Sequence, residues 1–193
     1  MKDAHNSNCT EISTEEKLME IKFCSCCGGT MKQGIPDDDD HMRAICTKCG
    51  FIHYLNPKMV VGCIPQWGDQ ILMCKRNIEP GKGKWTLPAG YLENGETMEA
   101  GAARETLEET RAMVNITAPC RLFNIPHVNQ MYMIFRAKLL SKEFGPTSES
   151  THVQLFRKEE IPWDDIAFSV IHKTLEDFFS DSAHSFQIKT ILA

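Results

Sequence analysis

Three glutamates that lie close together, Glu105, Glu108 and Glu109, constrain the structure of this 193-residue chain most strongly. Their i, i+3 and i+4 spacing places the three carboxylates on one face of a helix. Like charges at this spacing destabilise a helix by roughly 0.2–0.5 kcal/mol per pair, and a divalent cation among them would offset that repulsion. The spacing therefore predicts a helix that carries either a metal site or an ordinary solvated acidic face.

The surrounding residues predict that this helix runs from Thr97 to Arg111, with Thr97 as its N-cap. Gly101 falls on the acidic side, where the missing side chain leaves space above the carboxylates. At about 100° per residue, three apolar residues fall on the opposite side and predict a narrow buried stripe: Ala100, Ala103 and Leu107.

The glutamates belong to a longer pattern that begins at Gly90 and continues through Glu96 and Arg104. A chance match to its six positions is on the order of 10⁻⁷ per starting site. The pattern resembles the signature of the Nudix hydrolases, in which a loop, a helix and a second loop bind Mg²⁺ or Mn²⁺ beside a substrate diphosphate. The resemblance extends over residues 21–180 and is closest to members with an N-terminal zinc ribbon, which are grouped with ADP-ribose and FAD pyrophosphohydrolases.

Three positions depart from the family pattern. Aliphatic residues are usual in the family where Thr106 and Ala112 stand, and a glycine is usual where Arg111 stands. Arg111 bears on the backbone turn after the helix, because glycine commonly ends helices in a left-handed conformation.

The resemblance implies a site for Mg²⁺ or Mn²⁺. Glu105 and Glu109 are the expected ligands, Glu108 shares the ligation, and the Gly90 carbonyl is a possible further ligand. One carboxylate must also accept a proton from the attacking water, and the sequence does not decide which of the three does so.

Residues outside the three glutamates complete the expected site. Arg104 is expected to pair with Glu96 and orient the loop, which is a structural role. Many relatives add a distant catalytic glutamate, and Glu149 is the best-placed residue for it, although a plain surface loop is an equal alternative. The nearby position where relatives often carry an acid is occupied by His152.

Four side chains are candidates for substrate binding. Arg76 would contact phosphates, Phe123 or Tyr91 would stack on a flat base, and His127 would bond a ribose or a phosphate. The alternative for the aromatic residues is ordinary core packing, and for the histidine a hydrogen-bonded place in a loop.

Two Cys-x-x-Cys-Gly motifs precede this region, and eighteen residues separate them. This spacing is typical of a zinc site with four cysteine ligands, Cys24, Cys27, Cys46 and Cys49. Cys26 could compete with Cys27, but only Cys27 repeats the Cys-Gly ending of the second motif. Four protein ligands leave no open position, so such a site is structural; a redox pair is the alternative.

Composition limits the classes of partner. The net charge is −5 without a basic stripe, which argues against a nucleic-acid partner on electrostatic grounds. No window approaches 18 consecutive apolar residues and no secretory leader is recognisable, so a membrane location is not expected. Nine cysteines, an odd number, favour a reducing, cytoplasmic compartment.

The chain is predicted to fold as an α/β protein, a Nudix α/β/α sandwich with a mixed sheet preceded by a small zinc ribbon. Residues 1–20 form a tail with a short helix around Thr14–Glu20, residues 21–56 form the ribbon, and residues 57–193 form the Nudix hydrolase domain. The predicted strands and final helix are 59–65, 70–75, 120–124, 130–139, 151–156 and 168–179.

Three functions remain open from the sequence. The first is metal-dependent hydrolysis of a nucleoside diphosphate linked to another group, of the FAD or ADP-ribose class, with release of AMP. The second is an NADH pyrophosphatase or NAD-cap-removing hydrolase; those relatives carry a Ser-Gln-Pro-Trp-Pro-Phe-Pro stretch where this chain reads differently at residues 123–130. The third is a non-catalytic binding protein. A homodimer is common among relatives and is a further expectation.

Overall fold

The computed structural model describes residues 21–180 and 185–192, which divide into two compact units. The first contains residues 21–57 and 127–129, and the second contains the remaining described residues. The predicted helix around Thr14–Glu20 lies outside the described residues. Within the described ranges, no helix has both the length and the apolar character needed to cross a bilayer.

The first unit is built on a small antiparallel sheet. Its strands are β1 (Met31–Gly34), β2 (Arg43–Cys46) and β3 (Ile52–His53), in that order. The four consecutive aspartates, residues 37–40, lie in the β1–β2 connection. Asp39 accepts a hydrogen bond of 2.9 Å from Arg43, and this pairing holds the pKa of Asp39 at about 2.

The second unit contains a mixed sheet. Its central order is β10-β5-β4-β9-β8-β11, with β6 paired to β5 and β7 paired to β4. The β4–β9 and β8–β11 pairs are parallel and the others are antiparallel. The strands are β4 (Lys58–Trp67), β5 (Gln70–Arg76), β6 (Trp85–Thr86), β7 (Ala89–Tyr91), β8 (Val114–Ile125), β9 (Gln130–Leu139), β10 (Ser150–Phe156) and β11 (Gln187–Thr190).

Two helices, α1 (Met98–Thr110) and α2 (Ser169–Phe179), cover opposite faces of this sheet. Ala102 of α1 packs in one cluster with Met133 and Phe135 of β9. The Arg136 guanidinium, on the other face of β9, lies 5.0 Å from the centre of the Phe178 ring of α2. This arrangement confirms the predicted α/β/α sandwich with a mixed sheet.

Most predicted elements are found within one or two residues of their predicted ends. Strand β9 has the predicted bounds, and α2 begins one residue later than expected. Strand β8 begins six residues earlier than predicted, because its first half alternates between half-buried and exposed residues and carries little apolar signal. Strand β11 was not predicted. Tertiary contacts hold this strand in place. Lys189 forms an ion pair with the carboxylate of Asp177, and that carboxylate also pairs with the buried Arg121.

The predicted buried stripe of α1 is wrong. Ala100 and Leu107 are exposed, and Ala103 is only half-buried. The helix instead packs its more polar side against the sheet. The buried Thr106 hydroxyl donates a hydrogen bond to the Ala102 carbonyl at 2.7 Å. The residues of α1 that are buried are Gly101, Ala102, Thr106, Glu109 and Thr110.

Candidate active site

The N-terminus of α1 is fixed by Thr97, as predicted. Its backbone is extended, and its hydroxyl accepts a hydrogen bond from the Ala100 amide at 3.2 Å. At the other end, Arg111 adopts the left-handed conformation with φ of 61°, and its amide donates to the Leu107 carbonyl at 2.8 Å. The turn that glycine usually forms is therefore made here by an arginine.

Gly90 lies where the loop before α1 comes closest to the helix. It pairs with Val61 of β4, which fixes the loop to the centre of the sheet. A Cβ atom at this position would lie 2.3 Å from the Glu105 carboxyl group. Only glycine therefore allows the Glu105 carboxylate to lie against the loop backbone.

Gly101 does not leave open space above the acids, which corrects the sequence-based expectation. A Cβ atom there would lie 2.8 Å from Glu96 Oε1 and 2.9 Å from a Val61 methyl group. The missing side chain instead allows α1 to pack closely on the sheet and on the loop.

Arg104 links the loop to the helix. Its guanidinium donates to both carboxylate oxygens of Glu96, at 2.7 and 3.1 Å, which confirms the predicted pairing. The same side chain donates to Glu105 at 2.8 Å, to Glu108 at 2.9 Å and to the Tyr91 carbonyl at 3.1 Å. Hydrogen bonding to Arg104 lowers the pKa of Glu96 to about 2. The loop and the acidic face of α1 are thus held together by one cation.

Glu109 is a buried carboxyl group, with only 5% of the residue exposed. Its Oε2 atom accepts hydrogen bonds from the Ala89 amide at 3.2 Å and from the Cys74 thiol at 3.6 Å. Burial raises the pKa of Glu109 to about 8, against the opposing effect of the Ala89 amide. Burial also raises the pKa of the Cys74 thiol well above its usual value, so this thiol keeps its proton and can donate.

Glu105 is half-buried and Glu108 is exposed. Burial raises the pKa of Glu105, with Arg104 acting in the opposite direction and the charges of Glu108 and Glu149 adding to the increase. Glu149 therefore lies within electrostatic range of Glu105. It is an exposed residue directly before β10, and its amide donates to the Thr147 hydroxyl at 3.2 Å.

The carboxylates suit Mg²⁺ or Mn²⁺, because both ions favour oxygen ligands. The Glu105 carboxyl against the Gly90 backbone and the desolvated Glu109 carboxyl are the groups that a cation would use and stabilise. Arg104 forms hydrogen bonds with the carboxylates of Glu105 and Glu108. Within the described ranges, the carboxylate oxygens of the three glutamates do not all lie within 4.8 Å of one another.

The structure separates the predicted substrate-binding residues. Arg76 lies near the acids: its charge lowers the pKa of Glu109, while its Nε donates to the Pro80 carbonyl at 2.8 Å. His127 lies in a short 3-10 turn after β8 and is half-buried. The prediction for Phe123 is wrong, because its side chain is fully buried in the core and no ring face is available to a substrate.

Tyr91, the alternative to Phe123, is 48% exposed. The Lys58 ammonium lies 5.0 Å from the centre of its ring, and the Gln130 amide donates to its hydroxyl at 3.2 Å. Tyr132 was missed from the sequence. Burial raises its pKa to about 12, and the charges of Tyr91, Arg76 and Glu109 act on it, so it faces the same region. Its only signal in the sequence was its place on β9, which predicts no chemistry.

The four predicted zinc ligands, Cys24, Cys27, Cys46 and Cys49, lie together in the first unit. Their sulfur atoms are all within 4.8 Å of one another, with Cys24–Cys49 at 3.8 Å and Cys27–Cys46 at 3.5 Å. Tetrahedral zinc with Zn–S bonds of about 2.3 Å requires sulfur atoms roughly 3.8 Å apart, so the cluster fits the ion. Cys26 is exposed and is not in this group.

Comparison with known proteins identifies the modules. The family model described as the NUDIX domain matches residues 56–177, and the zinc-ribbon model described as Nudix N-terminal matches residues 22–55. A crystal structure of a NUDIX hydrolase from Nitrosomonas europaea is 51% identical and has a TM-score of 0.86. It covers 89% of this chain, and this chain covers 99% of it.

Curated relatives are more distant. The NAD-capped RNA hydrolase NudC of Vibrio parahaemolyticus is 30% identical over 168 residues, which are 83% of this chain and 62% of that protein. The ADP-ribose pyrophosphatase of Methanocaldococcus jannaschii is 28% identical over 115 residues, which are 56% of this chain and 67% of that protein. The chain spans about one third to two thirds of the length of the curated relatives that it matches.

The NUDIX model covers more than half of the chain and includes Glu105, Glu108 and Glu109. The N-terminal model covers the four clustered cysteines of the ribbon. By this match, the chain belongs to the Nudix hydrolase family and carries that family's N-terminal zinc ribbon.

Proposed function

We propose that the protein hydrolyses the phosphoanhydride bridge of a nucleoside diphosphate linked to another group, of the FAD or ADP-ribose class. Water adds across the P–O–P bridge, one phosphorus takes its hydroxyl and the other keeps the bridging oxygen. Two phosphate monoesters result, and AMP is the product from the adenosine half.

The observation that carries this proposal is the placement of a buried carboxyl, Glu109, beside a second one, Glu105, that lies against Gly90. We propose that Glu105, Glu108, Glu109 and the Gly90 carbonyl hold Mg²⁺ or Mn²⁺. Such an ion, when bound, neutralises phosphoryl oxygens and lowers the pKa of a bound water.

The chain's own groups have separate tasks in this proposal. Arg104 keeps the loop and α1 at a fixed distance, which positions Glu105. Arg76 supplies positive charge beside Glu109 for a substrate phosphate. Glu149 is exposed, within range of Glu105 and not held by Arg104, so it is our choice for the carboxylate that accepts the proton of the attacking water.

Hydrolysis of NAD-capped RNA is the second candidate. It is favoured by the similarity to the Vibrio parahaemolyticus NAD-capped RNA hydrolase, which extends over 83% of this chain. The segment at residues 123–130 lacks the Ser-Gln-Pro-Trp-Pro-Phe-Pro stretch and argues for the first candidate. On this second substrate the same cleavage would leave nicotinamide mononucleotide and RNA with a 5′-monophosphate.

The deciding experiment is a Mg²⁺-dependent screen of FAD, ADP-ribose, NADH and NAD-capped RNA, with product identification. We expect AMP from FAD or ADP-ribose and loss of turnover in Glu109→Gln with zinc content unchanged. Highest kcat/KM on NAD-capped RNA would select the second candidate. Absence of cleavage and of Mn²⁺ binding would reject both and favour a binding protein.

The role of Glu149 needs its own variant. Glu149→Gln should lower kcat while leaving KM close to the wild-type value. Glu143→Gln is the matched control, because Glu143 is an exposed glutamate of the same β9–β10 connection. Equal kcat in the wild type and Glu149→Gln would remove Glu149 from the mechanism.

The cellular setting is also a proposal. All eight cysteines within the described residues are free thiols, which fits a reducing compartment, and we place the protein in the cytoplasm. The domain boundaries at residues 20/21 and 56/57 and a homodimer stay predictions.

A further inference from the structure

A buried cysteine that the proposed reaction does not use lies against the proposed metal ligand Glu109. Cys74 is on β5, and its residue is 0% exposed. Its sulfur is 3.6 Å from Glu109 Oε2 and 3.8 Å from the Thr86 carbonyl oxygen. The thiol therefore has two acceptors, and the carboxylate is the nearer one.

The two hydrogen bonds to the Glu109 carboxylate converge on one oxygen. The Ala89 amide donates to Oε2 at 3.2 Å, and the Cys74 thiol donates to the same atom. Within the described ranges, no hydrogen bond to Oε1 is found. A carboxylate held by one oxygen in this way leaves its other oxygen available to a cation. The two donors also restrict rotation about the last side-chain bond of Glu109.

The Cys74 thiol is itself held in place. Its strand pairs with β6 at Thr86 and with β10 at Val153, so the backbone is fixed on both sides. The buried Ser150 side chain is close enough to the Cys74 sulfur to oppose the rise in the pKa of that thiol. A valine or alanine at this position would remove the thiol donor and leave Oε2 with the Ala89 amide alone.

We propose that Cys74 is a positioning residue for Glu109: its thiol and the Ala89 amide hold Oε2 so that Oε1 is directed to the divalent cation. This inference rests on the proposed function, since it assumes that Glu109 binds the cation. It adds a residue of β5 to a site whose sequence signature lies wholly between Gly90 and Glu109.

Cys63 provides a matched control. It is also 0% exposed and lies on the neighbouring strand β4, but its sulfur is 3.1 Å from the Thr106 hydroxyl and contacts no carboxylate by hydrogen bond. Removal of the Cys63 thiol therefore reports the general cost of losing a buried sulfur next to α1.

The experiment compares Cys74→Val, Cys74→Ala and Cys74→Ser with Cys63→Ala and the wild type. Mn²⁺ alone is titrated by electron paramagnetic resonance, and turnover of ADP-ribose and FAD is followed over a range of Mn²⁺ concentrations. Thermal unfolding and zinc content are measured to verify folding. If Cys74→Ala fails to fold, Cys74→Val, which leaves no cavity, and Cys74→Ser, which keeps a donor, still decide the question.

We expect Cys74→Val and Cys74→Ala to raise the Kd for Mn²⁺ about 10-fold or more, which is the usual effect of losing a hydrogen bond to a metal ligand. High Mn²⁺ should restore their kcat with KM unchanged, and Cys74→Ser and Cys63→Ala should bind Mn²⁺ like the wild type. A purely structural role would give no rescue by Mn²⁺ or by serine.

Two results overturn the proposal. One is wild-type Mn²⁺ affinity in Cys74→Val, and the other is an equal loss of affinity in Cys63→Ala. Both leave the proposed function intact, because the wild type still binds Mn²⁺ and hydrolyses substrate. A wild-type protein that does neither overturns the proposed function and this inference together.

Discussion

The Arg104 guanidinium holds both carboxylate oxygens of Glu96, at 2.7 and 3.1 Å, across the loop that leads into α1. The two residues are eight positions apart, and Glu96 Oε1 also accepts a hydrogen bond from the Glu93 amide at 2.7 Å. This pair therefore closes the loop on itself and on the helix, and it sets the position of Gly90 opposite Glu105.

The Glu96 pairing predicts a specific loss of stability in acid. Arg104 lowers the pKa of Glu96 from 4.5 to about 2, so the ionised form stabilises the folded state. This contribution is present above pH 4.5 and is lost as the pH falls through about 2. Urea unfolding across this range should show a smaller decrease in Glu96→Gln than in the wild type. Parallel curves for the two proteins would contradict the pairing.

The raised pKa of Glu109 predicts that the free energy of unfolding depends on pH in the opposite direction. Burial raises its pKa from 4.5 to about 8 in the metal-free protein, so the unfolded chain releases this proton first as the pH rises. Stability should fall by up to about 1.4 kcal/mol per pH unit between pH 4.5 and 8. Glu109→Gln should remove this slope in Mg²⁺-free buffer and be the more stable protein at pH 8.

Addition of Mg²⁺ is the control for that prediction. The ion should stabilise the wild type at pH 8 and have little effect on Glu109→Gln, because binding to the folded state alone adds to its stability. Equal slopes in the two proteins without Mg²⁺ would show that Glu109 does not titrate in this window.

The left-handed Arg111 predicts a stabilising substitution. A non-glycine residue in this conformation costs roughly 1–2 kcal/mol, and glycine adds about 0.5–1 kcal/mol of backbone entropy in the unfolded chain. Arg111→Gly should therefore stabilise the protein by about 0.5–1 kcal/mol in urea unfolding. Arg111→Ala is the control, since it removes the exposed side chain and keeps the strained backbone. A lower stability for Arg111→Gly than for Arg111→Ala would contradict the argument.

The sequence predicts this site better than it predicts how the site is buried. Spacing alone is enough to place Glu105, Glu108 and Glu109 on one helix. The family resemblance is enough to pair Arg104 with Glu96, which lies only eight residues before it. Which side of α1 faces the sheet is not local. Apolar periodicity favoured Ala100 and Leu107, whereas the structure buries small and polar residues there and raises the pKa of Glu109 as a result.

Contributions from other strands were missed for the same reason. Cys74 and Tyr132 lie on β5 and β9 and reach the site only through strand pairing. Strand β11 is short and depends on Arg121 and Asp177, which lie outside it in the sequence. No periodicity within either segment indicates such partners.

Zinc binding predicts a difference between two neighbouring cysteines. Cys27 lies in the four-sulfur cluster and Cys26 does not. Cys27→Ser should therefore reduce bound zinc, measured by elemental analysis of the purified protein, and destabilise the N-terminal unit, because a structural zinc site contributes directly to folding. Cys26→Ser should retain one zinc per chain. Loss of zinc from Cys26→Ser alone would assign the ligand to Cys26.

Two aromatic residues that the sequence treated as equivalent should behave differently. Phe123 is fully buried, so Phe123→Ala should destabilise the protein by about 3–5 kcal/mol, as is usual for a large core residue. Tyr91 is 48% exposed beside the proposed site, so Tyr91→Ala should leave the unfolding midpoint nearly unchanged and raise KM for a nucleotide substrate. Tyr91→Phe keeps the ring and loses only the bond from Gln130, and it should have a KM near the wild-type value if stacking is the main contribution. An unchanged KM in Tyr91→Ala would show that this ring does not contact the substrate.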